Sequence, residues 1–575
     1  MMARGILAAC GNPIHVARVT AAAARYGLER IEYNHGFHLF AGRGLRREHV
    51  GEDRIVFGER FRGPSHGGNA SGDWGSWLSF RISQPWQLHI ARAALTGLPL
   101  YWVRSDEGML LFSHLELALD AGLAPRLDIE FLRHLLAYEN LRTDRTGIAD
   151  AYELLPGTSL TVSGTGIEVH CDWSPWPFAA AAQSRGTAAR EVEQMVDGCV
   201  AAWAANRPEI HVELSGGLDS SIVAAALATA GAAFGGINVA TSSPDGDERR
   251  YARAVAARFD FRLVETLHPT GSGDLTQPPA FPSPRPVSFA VLAGIDAALG
   301  AAAPETASLF GGIGGDNVFA LNRSVAPVLD AVRMLGPGPT ALRALADLAR
   351  VGNVSVWRAL RLSVRQWRRG TPARWPRGES YVAPDALPAE PFSHPWDAGA
   401  AKAPYGKRLQ VQAIRRILDF LDRPVRWYGR DVVAPLLSQP LVELCLSIPS
   451  WDWIAGGHDR AVARAAFAGR LPSEVVWRRG KGRLETMCAQ IFLAQRDRLA
   501  ELLLEGRMAR EGLLDRDRIE AYLARDRIEG DYDYFRLLEL ADIERWIASL
   551  PWAGAAGPSS DQRAYCSAFA GSGST

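Results

Sequence analysis

Residues 209–230, EIHVELSGGLDSSIVAAALATA, constrain what this chain can fold into more than any other stretch. The alternating EIHVEL ends at Ser-Gly-Gly, and a run of small apolar residues starts directly after two serines, which predicts a strand, a tight turn and a helix. The rhythm continues with GGINVAT, DERRYARAVAARF and RLVETL. Strands that alternate with helices at this spacing predict βαβ units and a parallel sheet. Ligands of such sheets bind at the carboxyl ends of the strands, and SGGLDSS stands at one.

The rest of the chain has a different texture. Up to about residue 180, short apolar runs are separated by turn residues, as in GFHLFAG (36–42), YWVRSDEGMLLFS (101–113) and TSLTVSGTGIEVH (158–170), which predicts a strand-rich layered domain with hairpins. MMARGILAACGNP is read as its first strand, its apolar run being too short for a signal-peptide core. Proline and small residues in WSPWPFAAAAQSRG (173–186) mark the boundary. The expected layout is a first domain over 1–180, a second over 190–550 and a disordered, small and polar tail over 551–575. Segments 277–286 and 368–396 are proline-rich and read as loops; beyond 400 the chain reads as mostly helical.

Composition narrows the function classes. A chain of 575 residues is long enough for two cores. Lys plus Arg and Asp plus Glu both number 63, so net charge gives no argument for nucleic acid or membrane as a partner, and any electrostatic partner has to be read locally. The six cysteines (Cys10, Cys171, Cys199, Cys445, Cys488, Cys566) are scattered without a C-x-x-C pair, which suggests neither a disulfide framework nor a zinc knuckle and fits a reducing cytoplasm. No run approaches the roughly 18 apolar residues of a membrane span. A cytoplasmic protein is expected, with no nucleic-acid and no membrane partner.

A glycine- and hydroxyl-rich turn at a helix start offers bare backbone N–H groups at the positive end of the helix dipole, an anion site suited to phosphate. A nucleophile elbow needs G-x-S-x-G, and a Walker loop needs a lysine before its hydroxyl residue; SGGLDSS has neither. A plain glycine turn is the bland alternative. A second glycine-rich element, GGIGGDNVF (311–319), follows the apolar ETASLF some 95 residues downstream.

Together these two motifs resemble the ATP-pyrophosphatase domain of asparagine synthetases, β-lactam synthetases and lasso-peptide macrolactam synthetases. The resemblance implies a fold of α/β plus α+β class: an N-terminal layered domain of Ntn-hydrolase (class II amidotransferase) type and a C-terminal doubly wound parallel sheet of the adenine nucleotide alpha hydrolase-like kind. It implies cleavage of ATP to AMP and pyrophosphate with formation of an acyl-adenylate. On that reading Asp219 and Asp316 hold Mg²⁺; Ser215, Gly216, Gly217 and Ser220 hold the phosphates; and Leu214, Ile237, Val239, Gly311, Gly312 and Gly314 line the nucleotide pocket. GRDVVAPLLSQPLVELCLSIP (429–449) and HDRAVARAAFAGRLPSEVVWRRGKGR (458–483) continue the resemblance, the second being similar to a loop that closes over the site with a basic residue, here Lys481.

HLFAGRG (38–44), ARAALTGLPLYW (91–102) and LLPGTSL (154–160) are similar to the family's glutaminase domain, whose activity needs cysteine as the first residue after Met removal; here Met2 and Ala3 stand instead, so a degenerate glutaminase is expected. Without ammonia made on the spot, the amine is expected to come from the substrate. Ile313 stands where β-lactam synthetases keep a tyrosine, which favours the macrolactam branch. The resemblance therefore implies a lasso-type cyclase. Its substrate is a ribosomally made precursor peptide, its partners include a leader peptidase or leader-binding protein, and its cofactors are ATP and Mg²⁺. An ammonia-using asparagine synthetase, a β-lactam-type synthetase and a non-catalytic peptide-binding scaffold are the rivals.

Between 333 and 377 ten arginines face one acid, Asp347, and Trp357, Leu360, Val364 and Trp367 repeat at helical spacing. Two readings stand: a packed amphipathic helix with a solvated basic flank, or a docking surface for an acidic peptide or partner.

Overall fold

The computed structural model describes residues 4–31, 36–51, 53–63, 72–83, 87–164, 166–241, 247–268, 273–279, 281–286, 290–321, 324–372, 375–421, 430–480, 485–525 and 531–553. The expected first strand is Ile6–Gly11, and its apolar run is continuous because both of its faces are buried. Ile6 and Ala8 face a core shared with a second sheet, and Leu7 and Ala9 face helices on the other side. This strand sits inside an antiparallel six-stranded sheet whose order is Ala151–Glu153, Tyr101–Ser105, Gly108–Phe112, Ile6–Gly11, His38–Ala41, Glu29–Ile31. The second sheet, also six-stranded and antiparallel, runs Gly166–Cys171, Thr158–Ser163, Gln87–Arg92, Asp73–Ser83, Arg54–Arg62, Arg47–Val50. Ile55, Phe57, Leu78 and Phe80 fill the space between the two. Both hairpins expected at 101–113 and 158–170 form.

From Ala188 the chain follows the strand and helix rhythm. Ile210–Glu213, Leu218–Thr229, Phe234–Ala240, Arg249–Phe259 and Leu263–Leu267 alternate as strand and helix. The parallel sheet has the order Leu263–Leu267, Phe234–Ala240, Ile210–Glu213, Ser308–Gly311, Asp431–Val433. The last strand is three residues long and was not expected from the sequence, where GRDVVAPLLSQ carries no usable alternation. In this order the chain moves outward one way from Ile210–Glu213 and then returns to its other side, so the turns after Ile210–Glu213 and Ser308–Gly311 lie next to each other at the reversal point.

The C-terminal helices do not simply extend the parallel-sheet body. Phe492, Leu503, Leu537 and Trp546 share one core with Leu7, Phe112 and Leu136 of the first body. Trp552 stacks edge-on against Trp546, and Ala553 N donates to Pro125 O, so packing continues to the last described residue; 554–575 lie outside the described residues.

Candidate functional site

The Ile210–Glu213 strand ends in Leu214, whose backbone N–H is held by Ile237 O at 2.8 Å and whose carbonyl accepts from Asn238 Nδ2 at 2.7 Å. The loop is thereby tied at its root to the neighbouring strand. Gly216 turns the chain with φ 76°, and a Cβ there would meet Tyr251 Cβ at 2.7 Å, so glycine is required twice over. Gly217 begins the Leu218–Thr229 helix without a side-chain cap. Its first-turn N–H groups join the hydroxyls of Ser215 and Ser220, which are 3.2 Å apart, in a cluster of donors at the positive end of the helix.

The second glycine-rich loop presses against the first. A Cβ on Gly312 would meet Ser220 N at 2.4 Å, and one on Gly315 would meet Asp219 Cγ at 2.5 Å. Only glycine lets the two backbones approach this closely, which explains the repeated glycines of GGIGGD. The approach brings Asp219 and Asp316 together on one guanidinium: Arg460 Nη1 lies 3.3 Å from both Asp219 carboxylate oxygens and donates a short bond to Asp316 Oδ1.

Arg460 is held in an unusual way. Its backbone is left-handed (φ 50°, ψ 33°), and it stands at the N-terminal cap of Ala461–Phe467, where the helix dipole disfavours a cation. Asp459 bonds Arg460 Nε at 3.2 Å and Arg464 Nη2 at 2.9 Å. Burial works to lower the Arg460 pKa, but Asp219, Asp316 and Asp459 outweigh it and the net direction is up, so the cation is firmly retained.

These groups border a cavity of about 310 Å³. Its polar lining comprises Ser215, Gly217, Asp219, Ser220, Gly312 and Arg460; Leu292, Ile295, Ile313, Phe420 and Val475 supply apolar surface; Glu213, Asp296, Arg464 and Arg478 add charge. Arg478 is in turn fixed by Glu248 at 2.7 Å and by the Tyr251 ring at 4.0 Å.

The expected residues separate into two groups. Ser215, Gly217, Asp219, Ser220 and Gly312 border the cavity, and Asp316 reaches it through Arg460. Leu214 and Ile237 do not: both side chains are fully buried in hydrophobic clusters, and Val239 packs beside Ile237. Gly216, Gly311 and Gly314 support the loops from behind; Gly314, at φ 88°, is covered by the Leu437 side chain. Lys481 lies outside the described residues. Sequence reasoning passed over Arg460, Asn238, Asp296 and Arg478. Arg460 alone carried a signal, an arginine at a helix start where acids are favoured.

Among the described residues no group of three or more His, Cys, Asp or Glu side chains forms a self-contained metal site. The donor set fits Mg²⁺, which is typically held by one or two carboxylates together with substrate phosphates, and Asp219 and Asp316 are two carboxylates already brought onto one cation. No helix among the described residues is long and apolar enough to cross a membrane.

The family model for asparagine synthase matches residues 191–548, more than half of the chain, and spans both glycine-rich loops and Arg460. No curated protein matches the chain. A solved structure titled as the allosteric regulatory enzyme of purine biosynthesis is similar over 48% of this chain and 82% of that one, at 8% identity and a TM-score of 0.19, a level at which nothing is built on it. With the match running from the first helix of the parallel-sheet body to the last of the described helices, the chain belongs to the asparagine synthase family of ATP-dependent ligases.

Proposed function

We propose that this protein is an AMP-forming macrolactam synthetase of the lasso-cyclase type, acting on a ribosomally made precursor peptide. The observation that carries the proposal is the convergence of Asp219 and Asp316 on Arg460 beside the Ser215 and Ser220 donors, in a cavity whose lining also includes the apolar Leu292, Ile295, Ile313, Phe420 and Val475. A cationic, N–H-rich floor suits a triphosphate, and an apolar wall suits the body of a peptide better than it suits ammonia.

The chemistry follows from these groups. An Asp or Glu carboxylate oxygen of the peptide attacks the α-phosphorus of ATP, the bond to the bridging oxygen breaks, and pyrophosphate leaves. Ser215, Gly217 and Ser220 hold the departing phosphates through backbone N–H groups and hydroxyls, while Gly216 makes the turn that presents them; these charge-assisted bonds strengthen as negative charge develops. Mg²⁺, which Asp219 and Asp316 would hold, neutralises phosphate charge when bound. Arg460 supports the same carboxylates, and Lys481 is assigned to the adenylate oxygens.

The peptide's N-terminal amine then attacks the acyl carbon, loses a proton, and AMP departs with the former carboxylate oxygen. Water excluded by Leu292, Ile295, Ile313, Phe420 and Val475 is kept from hydrolysing the adenylate. Ring closure requires amine and carbonyl to be held near contact, so much of the peptide must be bound.

The two-sheet body is read as a degenerate Ntn-type glutaminase and the rest as an ATP-pyrophosphatase domain. Burial pushes up the thiol pKa of Cys10, against a backbone bond from Met109 and the charge of Arg104, a direction that favours the protonated thiol over the nucleophilic thiolate. Purified protein with ATP, Mg²⁺ and the precursor peptide encoded beside it should give a product lighter by one water, with one AMP per ring. Conversion of aspartate and ammonia to asparagine, with the peptide left linear, would sink the proposal.

A further inference from the structure

The arginine-rich segment folds as one helix, Val356–Arg369, capped by Ser355, whose hydroxyl accepts from Arg358 N. Its apolar stripe was expected to face a core on one of the two readings. The structure turns it outward: Trp357 is 77% exposed, Trp367 55%, Val364 41% and Leu360 38%. The helix rests on the body through two small side chains instead, Ala359 at 1% and Ser363 at 4%. Ala359 joins a small core with Leu345, Leu348 and Trp451.

Beside the apolar stripe run Arg358, Arg361, Arg365, Arg368 and Arg369. Among the described residues none of the five has an ion-pair partner, and the helix itself has no acidic side chain. The adjoining helix, Pro339–Val351, offers no counter-charge, since its one acid, Asp347, is buried and bonded to Arg350 and to Gly457 N. An exposed apolar stripe next to an unneutralised basic stripe is not the surface of an ordinary free monomer.

We propose that the Val356–Arg369 helix is an interfacial anchor that seats this protein on an anionic lipid surface. The occupant is chosen on shape and charge. A helix that meets the body through Ala359 and Ser363 leaves its apolar and basic stripes facing outward together over about 21 Å, a surface that a bilayer interface accepts lying flat. Tryptophans at both ends of the stripe suit the headgroup boundary, and arginines on its flank can extend to lipid phosphates while their stems stay against the apolar layer. The whole-chain charge balance does not oppose this, because charges more than about 8 Å away are screened at physiological salt. The inference is independent of the reaction catalysed.

The test is co-sedimentation of the full-length protein with vesicles of equimolar phosphatidylcholine and phosphatidylglycerol, beside vesicles of phosphatidylcholine alone. Binding to the mixed vesicles, reduced by added salt, is expected. The triple variant Arg358→Gln, Arg361→Gln, Arg365→Gln should bind roughly a hundredfold more weakly, and Trp357→Ser with Trp367→Ser should also lose most binding. The thermal midpoint and far-ultraviolet circular dichroism should be unchanged in both, which shows that they fold. Failure of the wild type to bind mixed vesicles, equal binding by the wild type and the arginine variant, or capture by soluble polyglutamate in place of vesicles would overturn the anchor, the last pointing to a protein partner.

Discussion

Two buried clusters of carboxylate and guanidinium groups sit in the two bodies of this protein with opposite balances: in one, three arginines surround a glutamate, and in the other, two aspartates share an arginine. In the two-sheet body Glu153 is fully enclosed, with Arg92 Nη1 at 2.8 Å, Arg142 Nε at 3.1 Å and Arg285 Nε at 3.7 Å. Arg92 lies on one sheet and Glu153 on the other, while Arg142 also donates to Leu418 O of the second body. In the parallel-sheet body Asp219 and Asp316 share Arg460, at the border of a cavity and on loops that only glycines allow to touch. The first cluster joins elements, and Asp419, 2.6 Å from Arg285, adds a second carboxylate to its three arginines. The second gathers charge where a ligand can reach it. The same carboxylate–guanidinium pairing is therefore structural or functional according to what lies on its open side.

If the first cluster is structural, Glu153→Gln should lower stability by about 3–5 kcal/mol, the usual effect of breaking a buried pair, with AMP formation per folded molecule unchanged. A thermal midpoint close to that of the wild type would break the contrast. Acid sharpens it. Burial works to raise the Glu153 pKa, but Arg142, Arg285 and Arg92 overcome it and hold the group at about 2. Its folded pKa lies below the unfolded value of roughly 4.3, so this stabilisation is complete above that value and is lost as pH falls toward 2. A wild-type stability that keeps declining there, and a flatter decline in Glu153→Gln, are expected from denaturant titrations across that range.

The second cluster should respond in the opposite way. Asp316→Asn or Asp219→Asn should reduce AMP formation by about 10²–10³-fold, the scale of losing a charged transition-state contact, with the thermal midpoint nearly unmoved. A variant that turns over normally would remove its carboxylate from the nucleotide site. Gly315→Ala tests the loop contact itself: its Cβ would intrude at 2.5 Å from Asp219 Cγ, and a displaced carboxylate should lower the rate by about 10²-fold. The smallest expected change is at Cys10, where Cys10→Ala should leave ATP-dependent activity unchanged, and a rate that falls with this thiol would give the two-sheet body a chemical part it is not assigned.

Much of the fold was legible because local periodicity and local function coincide there. The Ile210–Glu213 strand, the Leu218–Thr229 helix and the glycine turn between them are a continuous stretch, and the second loop follows its own short strand. What could not be read depends on distant partners. Asp431–Val433 is a strand only because Ser308–Gly311 pairs with it. Arg460 becomes part of the site only when two loops 95 residues apart meet across it. Helical spacing put Trp357, Leu360, Val364 and Trp367 on one face, but spacing cannot tell which way a face points, and here it points outward.

The central claim is that these two loops present ATP so that a carboxylate attacks its α-phosphorus. Label transfer tests it most directly: a precursor peptide with ¹⁸O in its acceptor carboxylate is incubated with the protein, ATP and Mg²⁺, and the nucleotide product is weighed by mass spectrometry. The account predicts AMP carrying one ¹⁸O for each ring closed, with unlabelled pyrophosphate. Unlabelled AMP, or ADP formed together with ¹⁸O-labelled inorganic phosphate, would contradict it.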